Sequence, residues 1–77
     1  EDPPDVEDIP AHVLQEFIRQ LPEGYRVVFN LFVMEGRSHK EIAQMLGIKV
    51  NTSASQLFKA KSVLAKKIEQ YRRDNHN

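Results

Sequence analysis

The sequence predicts an all-α fold, a four-helix domain that ends in a helix-turn-helix, and three observations predict it. Apolar residues recur at intervals of three and four through residues 10–72, as they do on one face of a helix. Ser38 and Glu41 form a capping box, which marks the start of a helix at about His39. Gly47 then stands where a helix ends in a residue with positive φ, and a second helical pattern follows.

The first predicted helix begins at Pro10, a residue well suited to a first helical position, and runs to about Gln20. Its apolar residues have the spacing i, i+3, i+4 and i+7, and they are Leu14, Phe17, Ile18 and Leu21. Residues 1–9 precede it, and their acidic, proline-containing sequence predicts a flexible linker. Because residue 1 is Glu rather than Met, we expect a fragment or a processed product of a larger protein.

The second helix is predicted from Glu23, just after Pro22, to about Met34. Its apolar stripe is so broad that little polar surface remains, which predicts the central buried helix. The stripe consists of Tyr25, Val27, Val28, Phe29, Leu31, Phe32 and Met34. The β-branched and aromatic content is compatible with a strand, but the length and the spacing favour a helix. Glu35 and Gly36 interrupt the pattern before the capping box.

The third and fourth helices form the predicted helix-turn-helix. The third covers residues 39–46, and the fourth begins between residues 49 and 52 and ends at about residue 72. Ala43 lies four residues before Gly47 and is small enough for the two helices to cross closely. Such a turn presents its second helix to the major groove of DNA. The apolar stripe of the fourth helix consists of Leu57, Ala60, Leu64, Ile68 and Tyr71.

Composition favours a small binding domain over an enzyme. The 77 residues leave room for one domain, and the absence of cysteine excludes disulfides and thiolate zinc sites. The histidines His12, His39 and His76 have no metal-ligand spacing, and no serine has a catalytic partner at a known spacing. The longest apolar run, residues 27–34, is too short to span a bilayer. We therefore expect no catalytic residue, no cofactor, no metal and no membrane insertion.

Charge is divided unevenly along the chain, although the formal net charge is zero. Residues 1–48 contain four Lys/Arg and nine Asp/Glu, a formal charge of −5. Residues 49–77 contain seven Lys/Arg and two Asp/Glu, a formal charge of +5. This asymmetry is expected if the fourth helix alone meets a polyanion. The alternative is a solvated helix, which we favour for the late cations Lys66, Lys67, Arg72 and Arg73.

Residues 21–68 carry a family resemblance. The segments LPEGYR, EGRSHKEIAQMLG and GIKVNTSASQL resemble region 4 of the extracytoplasmic-function sigma factors, which are bacterial initiation subunits of RNA polymerase. The resemblance implies an all-helical domain over residues 10–73, with a C-terminal tail at residues 74–77. Such a domain docks on the β-flap region of the polymerase core and reads the minus 35 promoter element in the major groove. The resemblance further implies a bacterial, cytoplasmic protein, an anti-sigma factor as another candidate partner, and a monomeric fragment.

The resemblance also implies which side chains meet DNA. The helix before the turn supplies backbone contacts from Arg37, Ser38, His39 and Lys40. The second helix and its start supply Lys49, Asn51, Thr52, Ala54, Ser55, Gln56, Phe58, Lys59 and Lys61. Among these, we expect Lys59 and Lys61 at phosphates and Ser55 and Gln56 at base edges.

Some of these positions depart from the family pattern. Many relatives carry Lys or Arg at position 54 and often Arg at position 56, so base readout is expected to be weaker or differently tuned here. Ser53 stands where many helix-turn-helix proteins keep an aliphatic residue, which predicts a less tightly packed inner side. His39 is interpreted as an exposed imidazole. Phe58 has two equally supported interpretations. It packs against the central helix, or it lies at the DNA surface.

Two alternative functions stay open at this point. One is the DNA-binding output domain of another bacterial transcription regulator, a class that usually dimerises through its long final helix. The other is a docking module for an anti-sigma factor or the polymerase, with only weak DNA contact. The missing cations at positions 54 and 56 favour the second, and a dimer that forms without DNA would favour the first.

Overall fold

The computed structural model describes residues 9–75, and this part of the chain contains four α-helices and no strand. The second helix continues directly into a π-helical turn, which we call the π segment. The elements are α1 (Ala11–Arg19), α2 (Glu23–Phe29), the π segment (Asn30–Met34), α3 (His39–Leu46) and α4 (Val50–Asp74). The predicted all-α fold with a C-terminal helix-turn-helix is confirmed.

The hydrophobic core forms where α2, α3 and α4 meet. Val28 on α2, Ile42 on α3 and Leu64 on α4 are each at most 1% exposed and belong to one cluster. Phe29 is also buried, as expected of a central second helix. Burying side chains of this size stabilises the fold by roughly 1.5–3 kcal/mol each, so these three helices hold the domain together.

The first helix lies on the edge of this core. Phe17 and Ile18 are half-buried against the cluster, and Leu21, just beyond the helix, is 2% exposed. The guanidinium of Arg26 closes the end of α1, because its Nη1 donates to the carbonyl oxygens of Arg19 and Leu21, each at 3.3 Å. The core therefore fixes both α1 and the short connection to α2.

Residues at both predicted boundaries belong to the folded part of the domain. Ile9, the last residue of the predicted linker, is only 7% exposed, so this apolar side chain is buried directly before α1. α4 includes Asp74, which we had placed in the C-terminal tail. The rest of the predicted linker, residues 1–8, and residues 76 and 77 of the predicted tail lie outside the described residues.

The π segment is not an α-helical continuation of α2. The amide of Glu35 donates to the carbonyl of Asn30, five residues earlier, at 3.1 Å. The amide of Arg37 then donates to the carbonyl of Leu31 at 2.9 Å, across Gly36 with its φ of 71°. A glycine adopts this backbone conformation without steric strain. This wide turn ends the second helix and leads the chain to the cap of α3.

Candidate nucleic-acid interface

The corner between α3 and α4 has the predicted local chemistry. The amide of Glu41 donates to Ser38 Oγ at 3.1 Å, and the amide of Ser38 donates to Glu41 Oε1 at 2.9 Å. At the other end of α3, Gly47 has φ 68° and ψ 35°, and the amide of Ile48 donates to the carbonyl of Ala43 at 3.0 Å. The predicted capping box and left-handed glycine are confirmed, so α3 begins and ends where expected.

The first turns of α4 have one buried and one exposed side. The buried side continues along the helix as Ser53, Leu57, Ala60, Leu64 and Ile68. The exposed side, which we call the reading face, consists of Asn51, Ala54, Ser55, Phe58 and Lys59. Phe58 is 53% exposed, so it lies at the surface and not in the core, and its contact with DNA stays a prediction.

A mostly apolar cleft of about 370 Å³ lies beside the reading face, between the start of α2 and the start of α4. The corner contributes Leu46 and Ile48 to its lining, and α4 contributes Thr52 and Gln56. Thr52 and Gln56 are half-buried. The cleft therefore lies on the side of α4 that faces α2.

A comparison with known families identifies the domain. The sequence profile described as sigma-70, region 4 matches residues 11–64, which is more than half of the chain. The chain belongs to the sigma-70 region 4 family. No curated protein and no solved structure matches it. The match contains the corner and the whole reading face, and it confirms the resemblance to sigma region 4, a DNA-binding family of transcription initiation that interacts with RNA polymerase.

The region 4 domain exposes most of the side chains that the sequence assigned to DNA. The exposed ones are Arg37, Ser38, Lys40, Lys49, Asn51, Ala54, Ser55, Phe58 and Lys59. The half-buried ones are His39, Thr52, Gln56 and Lys61. The exposed group lies on the reading face, at the start of α4 and around the start of α3.

Gln56 does not fit its predicted place at base edges. Its Oε1 atom is buried and has no hydrogen-bond partner among the described residues. The amide lies against α2, where a Cβ atom built on Gly24 would be 3.5 Å from Oε1. This side chain faces α2 in the structure, so base readout by Gln56 would require it to leave that place, and Ser55 is the exposed candidate for base readout.

Lys59 and Lys61 do not share one face of α4. Two residues correspond to a rotation of about 200° around a helix. Lys59 is exposed on the reading face, whereas Lys61 is half-buried at the edge of the packed side. Lys61 lies seven residues beyond Ala54 and so borders the opposite edge of the reading face from Lys59. That both lysines lie toward DNA stays a prediction, and Lys59 is the more exposed of the two.

His39 and Ser53 were both misinterpreted from the sequence. His39 Nδ1 lies 2.8 Å from Ser53 Oγ, and the imidazole stacks on Phe32 with ring centroids 4.5 Å apart and planes inclined by 22°. Ser53 is 0% exposed. His39 is thus half-buried and not an exposed imidazole, and a polar contact fills the inner side that we expected to be loosely packed. The signal was a serine at a core position, because a buried hydroxyl needs a partner.

Residues 9–75 contain no group of three or more His, Cys, Asp or Glu side chains that could hold a metal ion. No helix in that range is long and apolar enough to cross a membrane.

Proposed function

We propose that this region 4 domain belongs to an extracytoplasmic-function sigma factor and reads the minus 35 promoter element with its reading face. The observation that supports this most is the chemistry on the first turns of α4. Asn51 and Ser55 offer hydrogen-bonding groups, Phe58 offers an apolar surface, and all three are exposed. Base edges in the major groove present donors, acceptors and the thymine methyl group, so this mixture suits direct readout.

Phosphate contacts are proposed at the start of α3 and along α4. Arg37, Ser38 and Lys40 are exposed around the N-terminus of α3, where the helix dipole favours an anion. Arg37 Nε is 3.8 Å from Glu35 Oε1, but both side chains are about half exposed, and such pairs contribute little to stability. A phosphate can therefore replace Glu35 as the partner of Arg37.

Lys49 and Lys59 complete the proposed phosphate set. Both are exposed and belong to the basic part of the chain, which carries a formal charge of +5 over residues 49–77. Contacts of this kind orient a reading helix without reading sequence. Ala54 supplies no charge on the reading face, so we propose modest intrinsic affinity and a requirement for a second anchoring contact.

We propose the core of RNA polymerase as the second anchoring contact, through its β-flap region. An anti-sigma factor would compete with the polymerase for this domain in the bacterial cytoplasm. Support for a protein contact comes from Val33 and Met34 on the π segment, which are 46% and 67% exposed. These apolar side chains lie outside the reading face, so a protein can cover them while α4 meets DNA. Holding the domain near the promoter raises its effective concentration there.

The test is a binding selection. Polymerase core that carries the full-length protein is mixed with DNA duplexes that are randomised over the minus 35 element, and the bound duplexes are sequenced. We expect a sequence to be enriched and Ser55→Ala to change the preference at one base pair. Ser62→Ala is the matched control, because Ser62 is exposed and lies about 10 Å further along the same side of α4. Failure to enrich any sequence, or an equal effect of the two variants, contradicts the proposal.

A further inference from the structure

A polar contact and an aromatic stack join three elements behind the reading face. Ser53 lies on the first turn of α4, His39 is the first residue of α3, and Phe32 belongs to the π segment. The 2.8 Å contact between Ser53 Oγ and His39 Nδ1 links the two helices of the turn, and the stack on Phe32 holds the imidazole plane. Ser53 immediately precedes Ala54 and Ser55, so the contact lies on the buried side of the helical turn that carries them.

The burial of Ser53 determines the direction of this hydrogen bond. Within residues 9–75, His39 Nδ1 is the only hydrogen-bond partner of Ser53 Oγ, and Ser53 is 0% exposed. If Nδ1 carried the proton and donated to Oγ, the hydroxyl proton would have no acceptor, which is unfavourable for a buried donor. The hydroxyl therefore donates to Nδ1, and the neutral ring carries its proton on Nε2.

We propose that Ser53 is a positioning residue for DNA recognition, acting through His39. The hydroxyl holds His39 in the Nε2–H form and thereby sets the placement of α4 against α3. This inference rests on the proposed function, in which α3 contacts phosphates and α4 reads bases. Because the two sets of contacts lie on different helices, a change in their relative placement alters base preference although Ser53 itself is inaccessible to DNA.

The first measurement is the tautomer of His39 in the isolated chain, from long-range ¹H–¹⁵N spectra recorded where the imidazole is neutral. We expect the wild-type ring to show Nε2–H alone, and Ser53→Ala to give a mixture of the two tautomers. The exposed His12 serves as an unconstrained reference in the same spectra. An Nδ1–H ring in the wild type, or a tautomer ratio that Ser53→Ala leaves unchanged, overturns the proposal.

The second measurement is promoter selection by the holoenzyme. We expect Ser53→Ala to weaken binding about twofold to tenfold, the effect of one hydrogen bond, and to alter base preference. Ile68→Val is the matched control, because it removes a methyl group from a buried residue on the same helix, more than 20 Å along the axis from Ser53. If both variants reduce binding without changing preference, Ser53 has only a structural role and the proposal fails.

A double-mutant cycle tests whether the effect of Ser53 passes through His39. His39→Phe retains an aromatic ring on Phe32 and removes the Nδ1 partner. If the positioning role is correct, Ser53→Ala has no further effect on base preference in the His39→Phe background. Independent effects of the two changes overturn the role. If the wild-type holoenzyme selects no promoter sequence, the proposed function is wrong, and the positioning role is wrong with it.

Discussion

The ring of Phe17 on α1 meets the ring of Tyr71 on α4 edge to face, with centroids 6.2 Å apart and planes inclined by 75°. Lys67 Nζ lies 6.0 Å from the centroid of the same Phe17 ring and donates to Gln20 Oε1 at 3.1 Å. Both contacts come from the part of α4 beyond residue 64, where the family match ends. The first helix therefore depends on turns of α4 that the family profile does not include, and Lys67 is more than a solvated cation.

Tyr71→Ala is expected to lower the free energy of unfolding by about 1–2 kcal/mol, because it removes an aromatic pair and half-buried apolar surface. Urea denaturation followed by circular dichroism measures the change. Lys66→Ala is the control, since Lys66 is exposed on the same stretch of helix. A loss no greater than that of Lys66→Ala would show that α1 is held without this contact.

Gly47 provides a second prediction, about backbone strain. Its φ is 68°, and an added Cβ atom would meet nothing within 4 Å, so any penalty for a side chain is conformational and not steric crowding. Gly47→Val is expected to destabilise the domain by about 1–3 kcal/mol, because a β-branched residue strongly resists this region. Gly47→Asn is the control, since asparagine tolerates the left-handed conformation better. Equal melting temperatures for the two variants would contradict this explanation of the turn.

The corner of the helix-turn-helix could be predicted because its signals are local. A capping box acts between Ser38 and Glu41, three residues apart, and the conformation of Gly47 depends on its own lack of a side chain. The amphipathic spacing of α4 likewise identified its buried stripe before any partner helix was known. Signals of this kind act between residues that are close in sequence, so they can be recognised before the rest of the fold is known.

The misinterpreted features depend on packing between elements. Ser53 and His39 are 14 residues apart, and they meet only because α3 crosses α4 at this corner. The side of α4 on which Gln56 lies is set by the position of α2 and its Gly24. The π turn at Asn30 escapes detection because spacings of three and four do not distinguish a single wide turn from an α-helical one. None of these follows from a pattern within one element.

The Oε1 atom of Gln56, which has no hydrogen-bond partner among the described residues, leads to a third prediction. This atom is buried, so Gln56→Met, which keeps the length and removes the acceptor, is expected to stabilise the domain by about 1 kcal/mol. Thermal denaturation measures the gain, and promoter selection should show unchanged base preference. A changed preference, with Ser62→Ala as the unchanged reference, would mean that Gln56 leaves its place against α2 and reads DNA.

The oligomeric state is the fourth prediction, and it separates the sigma-factor function from that of a dimeric regulator. Leu64 and Ile68 on the long final helix are 1% and 2% exposed within one chain, so the apolar stripe of α4 is already covered. We expect a monomer in sedimentation equilibrium at all accessible concentrations. A dimer that forms in the absence of DNA would favour the regulator, which pairs through its final helix.

The last prediction concerns the electrostatics of DNA binding by the isolated chain. With one reading helix and no cation at Ala54, the chain is expected to bind duplex DNA only in the non-specific range of about 10⁻⁴ to 10⁻⁶ M. Lys59→Ala should lower the slope of log K against log salt by about one, because each neutralised phosphate releases its counterion. Lys61→Ala should change the slope less, since Lys61 is half-buried whereas Lys59 is exposed.

Fluorescence anisotropy titrations over a range of salt concentrations measure these slopes. Lys66→Ala is the matched control for Lys59→Ala, because Lys66 is exposed on the same side of α4 and lies about 10 Å further from the corner. Equal slopes for the wild type and Lys59→Ala would remove the phosphate contact from the proposal. A larger effect for Lys61→Ala than for Lys59→Ala would instead place the phosphates along the edge of the reading face that carries Ala54, because Lys61 lies seven residues beyond Ala54.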